Sequence, residues 1–79
     1  MIVEWKVRLT YPKRLLGEPL IYELIRRFNL VTNIVEAQVT EQIGWLIVTV
    51  RGENEMIQKG LDWIVSNGVT VEILSRREE

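Results

Sequence analysis

Within 79 residues the spacing of apolar side chains switches from every second position to helical and back, twice, and few folds can satisfy that order. Ile2 to Tyr11 alternates, with Val3, Trp5, Val7 and Leu9 on one face and Glu4, Lys6, Arg8 and Thr10 on the other. This predicts a strand with one buried face. Pro12 and the Gly17-Glu18-Pro19 turn break the pattern. From Leu20 the period is helical: Leu20, Ile21, Leu24, Ile25 and Phe28 form a stripe opposite Glu23, Arg26 and Arg27. Pro19 suits the first helical position and Glu18 the cap before it, beside the positive end of the helix dipole. Asn29 is expected to close this helix.

Val31 to Thr40 reads as a second strand, with Val35, Ala37 and Val39 on one face and Ile34, Glu36 and Gln38 on the other. Asn33 shares the parity of Val35 and is expected to point inward. Glu41 to Gly44 turns the chain into a third strand, Trp45 to Arg51, bounded by Gly44 and Gly52. A second helix starts near Glu53 on a stripe of Met56, Ile57, Gly60, Leu61, Ile64 and Val65, and stops at Asn67-Gly68. Val69 to Leu74 is the fourth strand, with Val69, Val71 and Ile73 inward. Residues 76–79 read as a frayed, charged tail after a single domain over 1–75.

Strand–helix–strand–strand–helix–strand predicts an α+β, ferredoxin-like βαββαβ sandwich. Right-handed crossovers put both helices on one face of a four-stranded antiparallel sheet of order 4-1-3-2. The other face is left open, and the alternation places Trp45, Ile47 and Ile34 there as an apolar cluster, a candidate interface. The competing reading is a tilted Trp lying on its own sheet. A domain this small gains from burying such a face by oligomerisation.

The chain has no Cys and no His. That excludes disulfides, Cys nucleophiles, Ser–His and Cys–His dyads, iron–sulfur clusters and ordinary zinc sites. Ten basic against eleven acidic residues argue against a nucleic-acid or anionic-membrane binder. Strand 3 also lacks the basic start and paired aromatics of an RNA-recognition motif. No apolar run approaches the ~20 residues needed to span a bilayer. No carboxylate pair falls inside an apolar pocket, and Tyr11 and Tyr22 stand alone. The expectation is a cytoplasmic protein that is not an enzyme and has no cofactor.

The run Phe28-Asn29-Leu30-Val31-Thr32-Asn33-Ile34-Val35-Glu36-Ala37-Gln38-Val39, then Ile43-Gly44-Trp45-Leu46, resembles the NIL domain. The stretches Leu16 to Ile21 and Gly60 to Glu72 are similar to it as well. The family is named for an Asn-Ile-Leu triplet, here Asn33-Ile34-Val35. The resemblance implies an ACT-related module, best known as the regulatory domain of methionine-importer ATPases, which binds methionine and pairs with a second copy. It also implies two fusion contexts, an ATPase and a ferredoxin. This chain has neither a phosphate-binding Gly-rich loop nor Cys, so it looks like the short form.

On that resemblance the candidate ligand-binding residues are Asn33, Ile34, Gly17, Glu18 and Leu20. The Asn33 amide would fix the amino or carboxylate group of an amino acid; the alternative is a structural Asn that pins the preceding loop. The N–H groups of Leu20 and Ile21 would meet a carboxylate unless Glu18 caps them itself. Trp45 either stacks on a partner or lines a thioether pocket. The expected function is sensing of a methionine-like amino acid by a homodimer formed through the sheet face or an open edge strand. The alternative is an adaptor, without a small ligand, docking on a separate transporter or ferredoxin component.

Overall fold

The computed structural model describes residues 1–78; Glu79, the end of the expected tail, lies outside the described residues. The chain runs through β1 (Ile2–Pro12), a 3-10 turn (Lys13–Leu15), α1 (Leu20–Phe28), β2 (Val31–Val39), β3 (Ile43–Glu53), α2 (Asn54–Ser66) and β4 (Thr70–Glu78). The strands pair antiparallel in the order β2-β3-β1-β4, the expected order read from its other edge. The alternation of β1 is realised without interruption: Val3, Trp5, Val7, Leu9 and Tyr11 are all buried. Val48 and Val50 of β3 lie beside them, and Leu24 of α1 with Ile57 and Ile64 of α2 closes the core from above; Val7, Leu9, Leu24, Val48, Val50, Ile57 and Ile64 have essentially no exposed surface.

Two residues end the helices as their conformations require. Asn29 takes the left-handed conformation (φ 53°) and its N–H bonds the Ile25 carbonyl. Gly68 stands at φ 103° after α2. The helices touch across Gly60, where a Cβ would lie 2.9 Å from Leu24 Cδ1. Trp63 seals the outer side of this contact against Phe28, ring centroids 6.0 Å apart. The Arg27 guanidinium lies 5.2 Å above the indole while bonding Glu23 at 3.0 Å.

The structure departs from the sequence expectations where the sheet is irregular or uncovered. In β2 the register slips by one between Ile34, opposite Val48, and Glu36, opposite Ile47. Val35 is therefore an extra, unpaired residue, a bulge that reverses the parity of everything before it. Ile34 goes to the helix face and Asn33, opposite Thr49, to the open face. The expected cluster of Ile34 with Trp45 and Ile47 is thus split, and Asn33 is exposed, not buried. The helices cover the middle of the sheet, so β2 has no buried residue on either face.

A second bulge, at Leu74 between the pairs Lys6–Ser75 and Val7–Ile73, lets β4 continue to Glu78. Residues 76–78 are therefore strand: Arg76 lies 4.5 Å over the Trp5 ring and Arg77 bonds Glu4 at 2.7 Å. Ile73 and Val65, expected inward, are 40% and 51% exposed because they flank the uncovered β4 edge. Finally, Glu18 does not cap α1. Pro19 occupies the cap position with no side-chain bond. The turn closes instead through the main chain, Glu18 N–H to Leu15 O at 3.0 Å and Leu20 N–H to Glu18 O at 2.9 Å, so the Leu20 donor is taken.

Leu24 is fully enclosed where α1 meets α2, so Leu24→Ala should destabilise the domain by about 2–5 kcal/mol. Urea unfolding would read this as a lower midpoint with an unchanged slope.

Candidate functional site

The end of the sheet beside the β1–α1 connection holds a cavity of about 160 Å³. Each wall follows from a local feature of the chain. Tyr11 is the last inward residue of β1 and lies opposite Gly44 of β3. Leu15 and Leu16, from the 3-10 turn and just after it, fold back over that pair. Leu16 takes the space a side chain at residue 44 would need, since a Cβ there would sit 2.6 Å from Leu16 Cδ2. Ile21 of α1, Leu46 of β3 and Val39 of β2 complete the apolar surface, and Glu18 and Trp45 stand at its rim. A dry cavity of ~150 Å³ takes a benzene-sized molecule, so this one fits a single apolar side chain.

The polar groups are few. Glu18 is exposed, and its carboxylate has no hydrogen-bond or ion-pair partner among the described residues. Trp45 is half-buried on the open face between Thr10 and Gln38. The Arg8 guanidinium lies 5.3 Å from its ring centroid and 3.7 Å from Glu72. Tyr11 is 7% exposed, and its hydroxyl is sealed from solvent without a hydrogen-bond partner. Burial pushes its pKa up to about 12. Reading Tyr11 as solitary misses its place here; the unbroken parity from Val3 through Leu9 already puts it on the inner face.

Of the residues expected to bind a ligand, Glu18 lines the cavity and Gly17 adjoins it. Gly17 is open, with nothing within 4 Å of where a Cβ would stand and no unusual backbone angle. Leu20 is buried in the core and is not part of the cavity wall. Asn33 and Ile34 lie six and five residues from Val39 along β2, about 20 and 16 Å of extended chain, too far to share one small ligand in the same protomer. Ile47 is half-buried on the open face.

The cavity opens beside an unusual edge. β2 carries one charge, Glu36, and no Lys, Arg or Pro, and its Val31, Ile34, Val35 and Val39 are each more than half exposed. Edge strands are ordinarily blunted by charge, proline or cover; here only the bulge does so. Among the described residues no cluster of acidic side chains could hold a metal ion, and no helix is long and apolar enough to cross a membrane.

A phenol whose folded-state pKa is raised keeps its proton while the unfolded chain loses it, so stability is full below pH 10 and falls as pH rises from 10 towards 12. Tyr11→Phe should flatten that alkaline loss in thermal melts. It should also leave the neutral-pH melting temperature unchanged or higher, because it removes a buried donor that bonds nothing.

A family model for the NIL domain matches residues 6–73. The methionine import ATP-binding protein MetN of Helicobacter pylori (strain J99) is 34% identical over 71 residues, covering 85% of this chain and 22% of that protein. MetN of Coxiella burnetii is 28% identical over 72 residues, covering 86% and 20%. The chain thus spans about a fifth of the length of these relatives. Among solved structures, the C-terminal domain of an ABC transporter ATP-binding protein from Enterococcus faecalis superposes with a TM-score of 0.78 at 17% identity, covering 90% of this chain and 83% of that one. A designed protein, Foldit4, superposes at 0.65 with 15% identity, covering 100% and 99%. At these identities the likeness is one of fold.

Proposed function

The chain belongs to the NIL domain family, and on that premise we propose that it is a regulatory domain binding methionine or a related sulfur amino acid at the junction of two copies of itself. The observation that carries this reading is the relation of the apolar edge to the cavity. β2 is exposed on both faces and ends with Val39 in the cavity wall. Two copies joined antiparallel through β2 about a two-fold axis would each present the same edge, as a closed dimer requires. The strand pairing would set the start of one β2 beside the end of the other. Asn33 of one copy would then stand near the open-face rim of its partner's cavity, on the side where Trp45 lies, which no single protomer achieves.

In this arrangement the cavity takes the ligand's side chain. Tyr11 and Trp45 offer aromatic surface to a thioether sulfur, a contact worth roughly 0.3–1.5 kcal/mol. The partner's Asn33 offers both donor and acceptor to the ligand's charged end, and the unpaired Glu18 carboxylate suits its ammonium. The relatives named for methionine import supply the ligand class. Regulation follows from selection between states: a ligand bound at the junction favours the paired arrangement by its affinity for it.

A panel of amino acids at ten times their dissociation constant should raise the melting temperature roughly 6–11 °C for methionine-like ligands alone. Asn33→Ala, an exposed substitution, should abolish the shift while leaving the ligand-free melt in place. A flat response across the panel would favour the adaptor reading, a partner's strand on the same edge with no small ligand.

The pairing has its own check by sedimentation. Val35→Lys should reduce a dimer to the monomer mass, and Trp45→Glu, on the open face, should not. A monomeric wild type, with or without methionine, would sink the two-copy site.

A further inference from the structure

We propose that Asn67 is a deamidation site, that the closed end of α2 holds the reaction back, and that the isoaspartyl product keeps that end from closing again. The chain's asparagines, Asn29, Asn33, Asn54 and Asn67, are followed by Leu30, Ile34, Glu55 and Gly68. In the reaction the main-chain nitrogen of the following residue bonds to the side-chain amide carbon. The carbon–nitrogen bond of that amide breaks, and ammonia leaves carrying the main-chain proton. Water then opens the cyclic imide at one carbonyl or the other, giving aspartate or isoaspartate. A side chain on the following residue obstructs the ring closure, and glycine has none. Asparagine is among the thermolabile residues, and Asn67-Gly68 is where this chain leaves the attack unhindered.

The fold engages the groups that the reaction needs. The Gly68 N–H, whose nitrogen is the nucleophile, donates to the Val65 carbonyl at 2.9 Å. The Asn67 Nδ2, the leaving nitrogen, donates to the Trp63 carbonyl at 2.9 Å. Ring closure requires the Gly68 nitrogen to eclipse Cβ of Asn67 about the Cα–C bond, whereas ψ −2° sets it beside the main-chain nitrogen of Asn67 instead. Val69, 2% exposed, anchors the turn, and its N–H reaches the Ile64 carbonyl at 3.3 Å. Gly68 itself is exposed, and exposed element ends open more readily than a core. Isoaspartate inserts an extra atom into the main chain between residues 67 and 68. The Gly68–Val65 and Val69–Ile64 bonds close rings of fixed size at the helix end, so they lose their geometry together. Leu15, a wall of the cavity, packs against this turn, its Cδ1 3.3 Å from where a Cβ on Gly68 would stand.

The experiment incubates the full chain in warm, mildly alkaline buffer, folded or unfolded in urea, and locates the converted residues by peptide mass spectrometry. The unfolded chain should convert first at Asn67, and the folded chain at least about tenfold more slowly at that residue. Gly68→Ala in urea should lose the fast conversion. The isoaspartyl chain, separated by chromatography and returned to buffer, should melt at a lower temperature than the unmodified one. Equal rates in the folded and unfolded chains would overturn the protection by α2. First conversion at Asn29, Asn33 or Asn54, or undiminished conversion in Gly68→Ala, would overturn the site. An unchanged melting temperature of the isoaspartyl chain would overturn its effect on the turn.

Discussion

Two helices of nine and thirteen residues have to cover a sheet of four strands, and they are too narrow for it. What they do cover is the pair of eleven-residue central strands, β1 and β3, where Val7, Leu9, Val48 and Val50 are fully enclosed. The edges are left to manage themselves, and most of what is distinctive about the molecule follows. On one side β4 is tied to β1 by the ion pairs Arg8–Glu72 and Arg77–Glu4 and by Arg76 stacked on Trp5. On the other, β2 carries an apolar, nearly uncharged strand with neither face covered. A small domain with that edge has surface to gain by pairing.

The two bulges act differently on these edges. At Leu74 the slip in β4 sets Arg76 opposite Trp5 and Arg77 opposite Glu4, turning a charged terminus into strand with specific contacts. At Val35 the slip in β2 turns Asn33 outward and Ile34 to the helix side. Asn33 is thereby an accessible amide on an exposed edge, free of the hydrogen-bonding demands a buried amide would impose. Its six-residue separation from Val39 is the physical reason a ligand site combining both needs two chains.

Much of this is legible in residue order. The strand and helix sequence, the sheet order, the Asn29 and Gly68 stops and the inner face of β1 all follow from uninterrupted periodicities and turn chemistry, and each matches the structure. Glu18 as a cap does not, because the main chain of the Leu15–Glu18 turn supplies the bonds expected of a side chain. Simple alternation puts Asn33 and Ile34 on the wrong faces, since a bulge adds one residue without changing composition. Trp45 stands on the open face where alternation places it, but its neighbour there, Arg8, comes from a strand far away in sequence.

Residue order alone dictates which segments are strand and which helix, because period-two and period-3.6 patterns bury apolar side chains on different backbones. It dictates the excluded chemistry as well, since a chain without Cys or His has no ligands or nucleophiles of those kinds to arrange. Folding in three dimensions sets the register within β2 and β4, the side chains that the short helices fail to cover, and the cavity beneath Leu16. Those are properties of elements fitted against one another: register and void shape come from packing between segments distant in sequence, and no local pattern encodes them.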